Sequence, residues 1–186
     1  GLFAESDVRA IAVRPDNPAT LFAGTEAGLY RSDDSAESWS KVDLPGNDRQ
    51  IWAIAIGPST TDIIFVGTCP SALFKSEDGG ESWRQLEVEL AEECAGGAIT
   101  PRVTSIEIDP DDSNTIYAGI EIDGFRHSTD GGKTWTTIND GLSSLDIHGI
   151  TVVPGQPKTI VVATNNDICI CHDLQTRQPL EVKRHY

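Results

Sequence analysis

The chain has 186 residues, 38% of them hydrophobic and 23% charged, enough for one sizeable core in a single globular domain. A formal net charge of −15 argues against nucleic acid, whose phosphates are gripped by clustered Lys and Arg. No apolar run approaches the roughly 20 residues of a membrane span.

In chain order, the first unit opens with an apolar, alternating strand over Val8–Val13 that ends at a turn marked by Pro15. A β-branched and aromatic stretch at 20–23 makes the second strand. A third, Gly28–Ser32, leads into a tight turn, and a fourth begins at Trp39. The same pattern recurs from Ile51, Val103 and Ile147, with Pro58, Pro110 and Pro154 standing where Pro15 stands. One interval is longer because of an acidic insertion at 86–101, which carries Glu87, Glu89, Glu92 and Glu93 and is expected to be flexible at Ala95-Gly96-Gly97. A period of about 44 residues holding four short strands is the size of one propeller blade. No 3.6-residue periodicity points to a helical repeat. The expected fold is all-β: a β-propeller of four-stranded antiparallel blades, about four of them, at 8–44, 50–88, 102–140 and 146–182.

Gly1-Leu2 parallels Gly141-Leu142, which follows a finished turn and strand, and the chain has no methionine. We therefore read the four blades as part of a larger ring, processed or excised from something longer. A ring completed by another chain and a small four-bladed ring are the alternatives. A partial ring would leave apolar blade faces open to self-association.

Three turns fit Ser-x-Asp-x-x-x-x-Trp: Ser32, Asp34 and Trp39; Ser76, Asp78 and Trp83; Ser128, Asp130 and Trp135. Ser and Asp side chains can bond backbone N–H groups within a hairpin, and glycine supplies the positive φ such a turn needs. Gly79 and Gly131 follow the Asp in the second and third turns, whereas Ser35 stands there in the first. The fourth unit keeps Asp173 but lacks the Gly and the Trp. Each Trp is expected to fill the space between neighbouring sheets.

This pattern resembles the BNR or Asp-box repeat propellers, among them sialidases, sortilin-type receptor domains, xyloglucanases and the photosystem II assembly and stability factor. The resemblance spans nearly the whole chain. It implies a structural role for the Ser-x-Asp turns and places the connections between blades, and between second and third strands, on the opposite rim. It also favours an extracytoplasmic or secreted location. Function has to come from a site on that rim.

On that rim the second residue of each innermost strand, Arg9, Trp52, Thr104 or His148, is expected near the channel mouth. Such a set can bind a sugar or an anionic peptide. Glu26, Glu121, Asp123, Asp146 and Asp167 add carboxylates. A glycosidase needs two carboxylates about 5–10 Å apart, but the chain carries no Arg-Ile-Pro segment, and Tyr30 and Tyr117 fall within strands. No Ser-His-Asp, phosphate-loop or HExxH pattern occurs. His127, His172 and His185 lack metal-ligand spacing and the four cysteines form no CxxC pair, so neither metal nor cofactor is expected. Cys169 and Cys171 would share one strand face as small buried residues, and Cys69 and Cys94 lie in loops that a disulfide could join. The expected function is a non-enzymatic binding or scaffold module for a protein or glycan. The alternative is a fragment of a secreted glycoside hydrolase of the sialidase or xyloglucanase type.

Overall fold

The computed structural model describes residues 6–46, 48–93, 97, 99–155 and 158–172, with the backbone of 181–183. Cys94, Asp173 and His185, and with them the expected disulfide and the fourth turn, lie outside the described residues. No helix among those residues is long and apolar enough to cross a membrane.

Among the described residues sixteen strands form four antiparallel sheets of four, each in chain order. The first holds β1 (Val8–Val13), β2 (Leu21–Thr25), β3 (Gly28–Ser32) and β4 (Ser40–Val42). The second holds β5 (Gln50–Ile56), β6 (Ile64–Cys69), β7 (Leu73–Ser76) and β8 (Arg84–Gln85). The third holds β9 (Val103–Ile108), β10 (Ile116–Ile120), β11 (Gly124–Ser128) and β12 (Thr136–Thr137). The fourth holds β13 (Ile147–Val153), β14 (Thr159–Thr164), β15 (Ile168–His172) and β16 (Glu181–Lys183). The inner strands stack in sequence, β1 on β5, β5 on β9 and β9 on β13. These are blades of a β-propeller, and the four sheets do not close into a ring.

The core lies between blades. Phe22 and Leu29 of the first blade pack with Ile51, Ile64 and Phe74 of the second. Phe65 and Leu73 meet Val103, Ile116 and Ile120 at the next interface, and Phe125 meets Ile147 and Val162 at the last. Each interface repeats one device. Ile51, Val103 and Ile147, at the start of their inner strands, are fully buried against Gly24, Gly67 and Gly119 in the second strand of the preceding blade. A Cβ on those glycines would come within 2.7, 2.6 and 2.4 Å of the incoming side chain, so only glycine leaves the hole open. Val8 holds the same position in the first blade, yet it is 49% exposed and Ile11 beside it 64% exposed, because no blade among the described residues covers that face.

The three Ser-x-Asp turns are built alike. The Ser76 hydroxyl accepts the Gly80 N–H at 2.8 Å, and the Asp78 carboxylate accepts the Ser82 N–H at 2.9 Å and its hydroxyl at 2.6 Å. Ser32 and Asp34 do the same for Ala36 and Ser38, and Ser128 and Asp130 for Gly132 and Thr134. The Trp83 and Trp135 indoles donate to the carbonyls of Gly80 and Gly132. Phe22 of the preceding blade comes so close to Gly80 that a Cβ there would lie 2.6 Å from its ring. Trp83 then meets Phe22 edge-on, with centroids 6.5 Å apart. Trp39 is half-buried in the first turn. Cys169 and Cys171 are buried on β15.

The insertion begins as an ordered strap. Leu86 is buried, and Val88 and Leu90 pack against the interface between the second and third blades. Asp123 accepts the Ala91 N–H at 2.9 Å, and Arg126 donates to the Glu89 carbonyl.

Candidate functional site

Arg9, Trp52, Thr104 and His148 share a backbone feature that the sequence does not announce. The register of each inner pair slips between Val8 and Ala10, between Ile51 and Ala53, across Thr104, and between Ile147 and Gly149. Each of the four is therefore the unpaired residue of a β-bulge, the device that bends a strand and re-aims one side chain at a rim.

The four side chains meet different ends. Trp52 is the hub: the guanidinium carbons of Arg9 and Arg102 lie 4.1 and 4.2 Å from its ring centroid, within cation–π range. Its indole N–H donates to Gln50 at 3.2 Å, which fixes the ring. Thr104 is taken up by packing, its hydroxyl donating to the Ile147 carbonyl at 2.5 Å and lying 3.2 Å from that of Gly119. His148 stands half-exposed, its Nε2 3.5 Å from Asp146.

Arg9 and Arg102 thus meet on Trp52 in a strongly acidic protein, and neither Arg102 nor Arg49 was among the expected residues. Arg102 grips Glu121 with two hydrogen bonds, one from Nη2 at 2.8 Å and one from Nε, and this pairing raises the guanidinium pKa. Arg49 donates to the Pro70 carbonyl at 3.2 Å. The Nε atoms of Arg9 and Arg49 are buried, and neither has a hydrogen-bond partner among the described residues. The nearest carboxylate partner of Arg9 is the exposed Asp7, at 3.8 Å. Cys69 lies close to Arg102 and Arg9; burial nevertheless pushes its thiol pKa up, so it stays protonated.

The expected carboxylates are mostly committed elsewhere. Glu121 serves Arg102, and Asp123 serves Arg126 at 2.7 Å as well as the insertion. Asp167 accepts from Ser143 and, at 3.1 Å, from Thr164. Glu26 is exposed. Among the described residues no group of His, Cys, Asp and Glu is arranged to hold a metal ion.

A family model described as Photosynthesis system II assembly factor YCF48 matches residues 32–174. A probable oligoxyloglucan-reducing end-specific xyloglucanase of Neosartorya fischeri is 35% identical over 82 residues, covering 41% of this chain and 10% of that protein. Xyloglucanase Xgh74A of Acetivibrio thermocellus is 27% identical over 205 residues, covering 89% of this chain and 22% of that protein. The chain therefore spans well under two thirds of these relatives. Among solved structures, an ancestral GH74 enzyme superposes with a TM-score of 0.69 at 23% identity, over 88% of this chain and 24% of that one. YCF48 bound to D1 peptide superposes with a TM-score of 0.67 at 13% identity, over 95% of this chain and 53% of that one. At these identities the structural likeness establishes the fold.

Proposed function

Because the chain belongs to the family of the photosystem II assembly factor YCF48, we propose that it is a non-enzymatic binding propeller whose arginine rim takes an anionic segment of a protein. The observation that carries this reading is the stacking of the Arg9 and Arg102 guanidinium groups on the Trp52 ring. A carboxylate laid against the Arg9 guanidinium would compete only with the exposed Asp7, 3.8 Å away. The fork of an arginine suits a carboxylate, since it can offer two parallel hydrogen bonds. The net charge of −15 repels anions at long range, which leaves selection to local geometry. A structural neighbour, YCF48, has been solved with a peptide bound, which supports a peptide as the ligand class.

The test is calorimetric titration of the chain with a short oligoglutamate peptide and with its glutamine counterpart. The acidic peptide binds and the neutral one does not, with affinity falling as salt rises. Arg9→Ala and Trp52→Ala each weaken binding by about tenfold, in line with cation–π and charge-assisted contacts of about 1.4 kcal/mol. Equal binding of both peptides would sink the reading. The likeness to xyloglucanases favours a second one, a piece of a glycoside hydrolase, and release of reducing sugar from xyloglucan would establish it.

A further inference from the structure

The inner strands also converge at their other ends, away from the arginine rim. There Ile56, Ile108 and Val152, with the turn prolines Pro58, Pro110 and Pro154, help to wall a cavity of about 330 Å³. That volume falls at the lower end of the range that holds small ligands. One charged residue lines it, Glu107.

Glu107 breaks the repeat. Its column reads Ala12 opposite Phe22, Ala55 opposite Phe65 and Thr151 opposite Val161 in the other blades. Blade packing is therefore met by a small uncharged residue, and a carboxylate opposite Tyr117 is not a requirement of the fold. The charged and titratable neighbours do not neutralise it. Lys158 is engaged by Asp109 at 2.6 and 2.7 Å and by Asp111 at 3.3 Å. His127 is stacked on Tyr117, and burial lowers its pKa and so keeps it neutral. Among the described residues Glu107 makes no ion pair. Burial raises the pKa of its carboxyl; a hydrogen bond from the Val152 backbone opposes the shift and the charge of Asp109 adds to it.

A cavity walled by aliphatic and proline side chains, with one carboxylate among them, suits a cation with an apolar body. No aromatic ring lines it, so it lacks the cage that recognises quaternary ammonium groups. A primary ammonium, with three donors, can instead hydrogen-bond the carboxylate directly. The geometry points to a binding site for a primary alkylammonium at this end of the channel, its chain against the prolines and aliphatic side chains and its head on Glu107. This site is independent of the arginine rim, so failure of one says nothing about the other.

The experiment titrates the full chain with n-pentylamine, n-pentanol and pentanoate, observed by ligand and protein NMR, and repeats the series with Glu107→Gln and Glu107→Ala, each first checked for native circular dichroism. Pentylamine binds at least tenfold more tightly than pentanol, pentanoate is rejected, and either variant brings pentylamine to the level of pentanol. A Gly-Lys-Gly peptide blocked at both ends identifies the source: if it binds as well as the free amine, the natural ligand is a lysine side chain of a partner, and if it does not, a small amine. Pentylamine and pentanol binding alike, no probe binding at millimolar concentration, or unchanged amine binding in the folded Glu107 variants would each overturn the assignment.

Discussion

Ser35 and Ala36 hold φ angles of 61° and 72° in the first turn, where the later turns place Gly79 and Gly80 at 73° and 93° and Gly131 and Gly132 at 74° and 83°. A Cβ makes this left-handed conformation unfavourable by about 1 kcal/mol per residue. Both residues are exposed, so glycine removes strain without removing packing. Ser35→Gly and Ala36→Gly are each expected to stabilise the protein by roughly 0.5 kcal/mol net of the added freedom of the unfolded chain, read as a higher urea midpoint at unchanged slope. The aspartates of the same turns set the response to acid. Hydrogen bonds from the hydroxyl of Ser38, Ser82 or Thr134 and from the backbone around it lower the carboxyls of Asp34, Asp78 and Asp130 from 3.8 to about 2. Arg14 lowers Asp16 to about 2 as well. A depressed folded-state pKa means that the charged form stabilises the fold above the unfolded value, and that this contribution drains away as pH falls toward the folded one. The melting temperature should therefore hold steady down to about pH 4 and drop between there and about pH 2, with a shallower drop in Asp78→Asn. A melting temperature at the bottom of that window equal to the one at the top would refute the assignment.

At the scale of the blade, the fit of Ile51, Val103 and Ile147 into glycine holes makes a coupled pair of positions. Gly67→Ala would set a methyl 2.6 Å from a Val103 methyl, and overpacking of this kind costs about 1–3 kcal/mol. Val103→Ala removes a buried branch and costs about 2 kcal/mol alone. Combined, they relieve one another, so the double variant should lose less stability than the two single losses added; a strictly additive cycle in urea denaturation would show that the contact is not the constraint. The blade was legible in the sequence because its signals are local and periodic: the turn prolines, the alternating inner strand and the Ser-x-Asp turn each recur at a fixed place. The rim was legible only in part. Arg9 and Trp52 were expected at the channel mouth, but the bulge that aims them depends on hydrogen bonds to a neighbouring strand, which no composition rule encodes. Arg102 could have been found as a departure from its column, which reads Asp7, Gln50 and Asp146 in the other blades. The hydrogen bonds of Asp123 were not legible, because a loop carboxylate reads the same whether it faces solvent or, as here, ties down Ala91 and Arg126.

At the scale of the molecule, the two uncovered faces decide how copies of the chain meet. The first blade presents Val8, Ile11 and Val13, all about half exposed or more, and the fourth presents Val153 and Ile168. Apolar faces of this kind invite association, and head-to-tail stacking would carry the blade order onward. The register argues against it. In the column of Gly24, Gly67 and Gly119 the fourth blade has Ala163, and in the column of Phe22, Phe65 and Tyr117 it has Val161. Val8 of a second copy would arrive where the Ala163 methyl already sits, at the 2.4–2.7 Å separations that the three interior holes forbid. No aromatic side chain would reach across to bury the remaining surface. The net charge of −15 adds repulsion between copies. We expect the chain to sediment as a monomer at physiological salt. Val161→Phe with Ala163→Gly restores both the wedge and the hole, and should shift sedimentation toward dimers and longer assemblies. Val8→Asp added to that pair should return it to the monomer, since the aspartate would have to enter the hole uncompensated. A wild-type dimer that Val8→Asp dissolves would mean that the two faces already match, and that Ala163 does not close the hole.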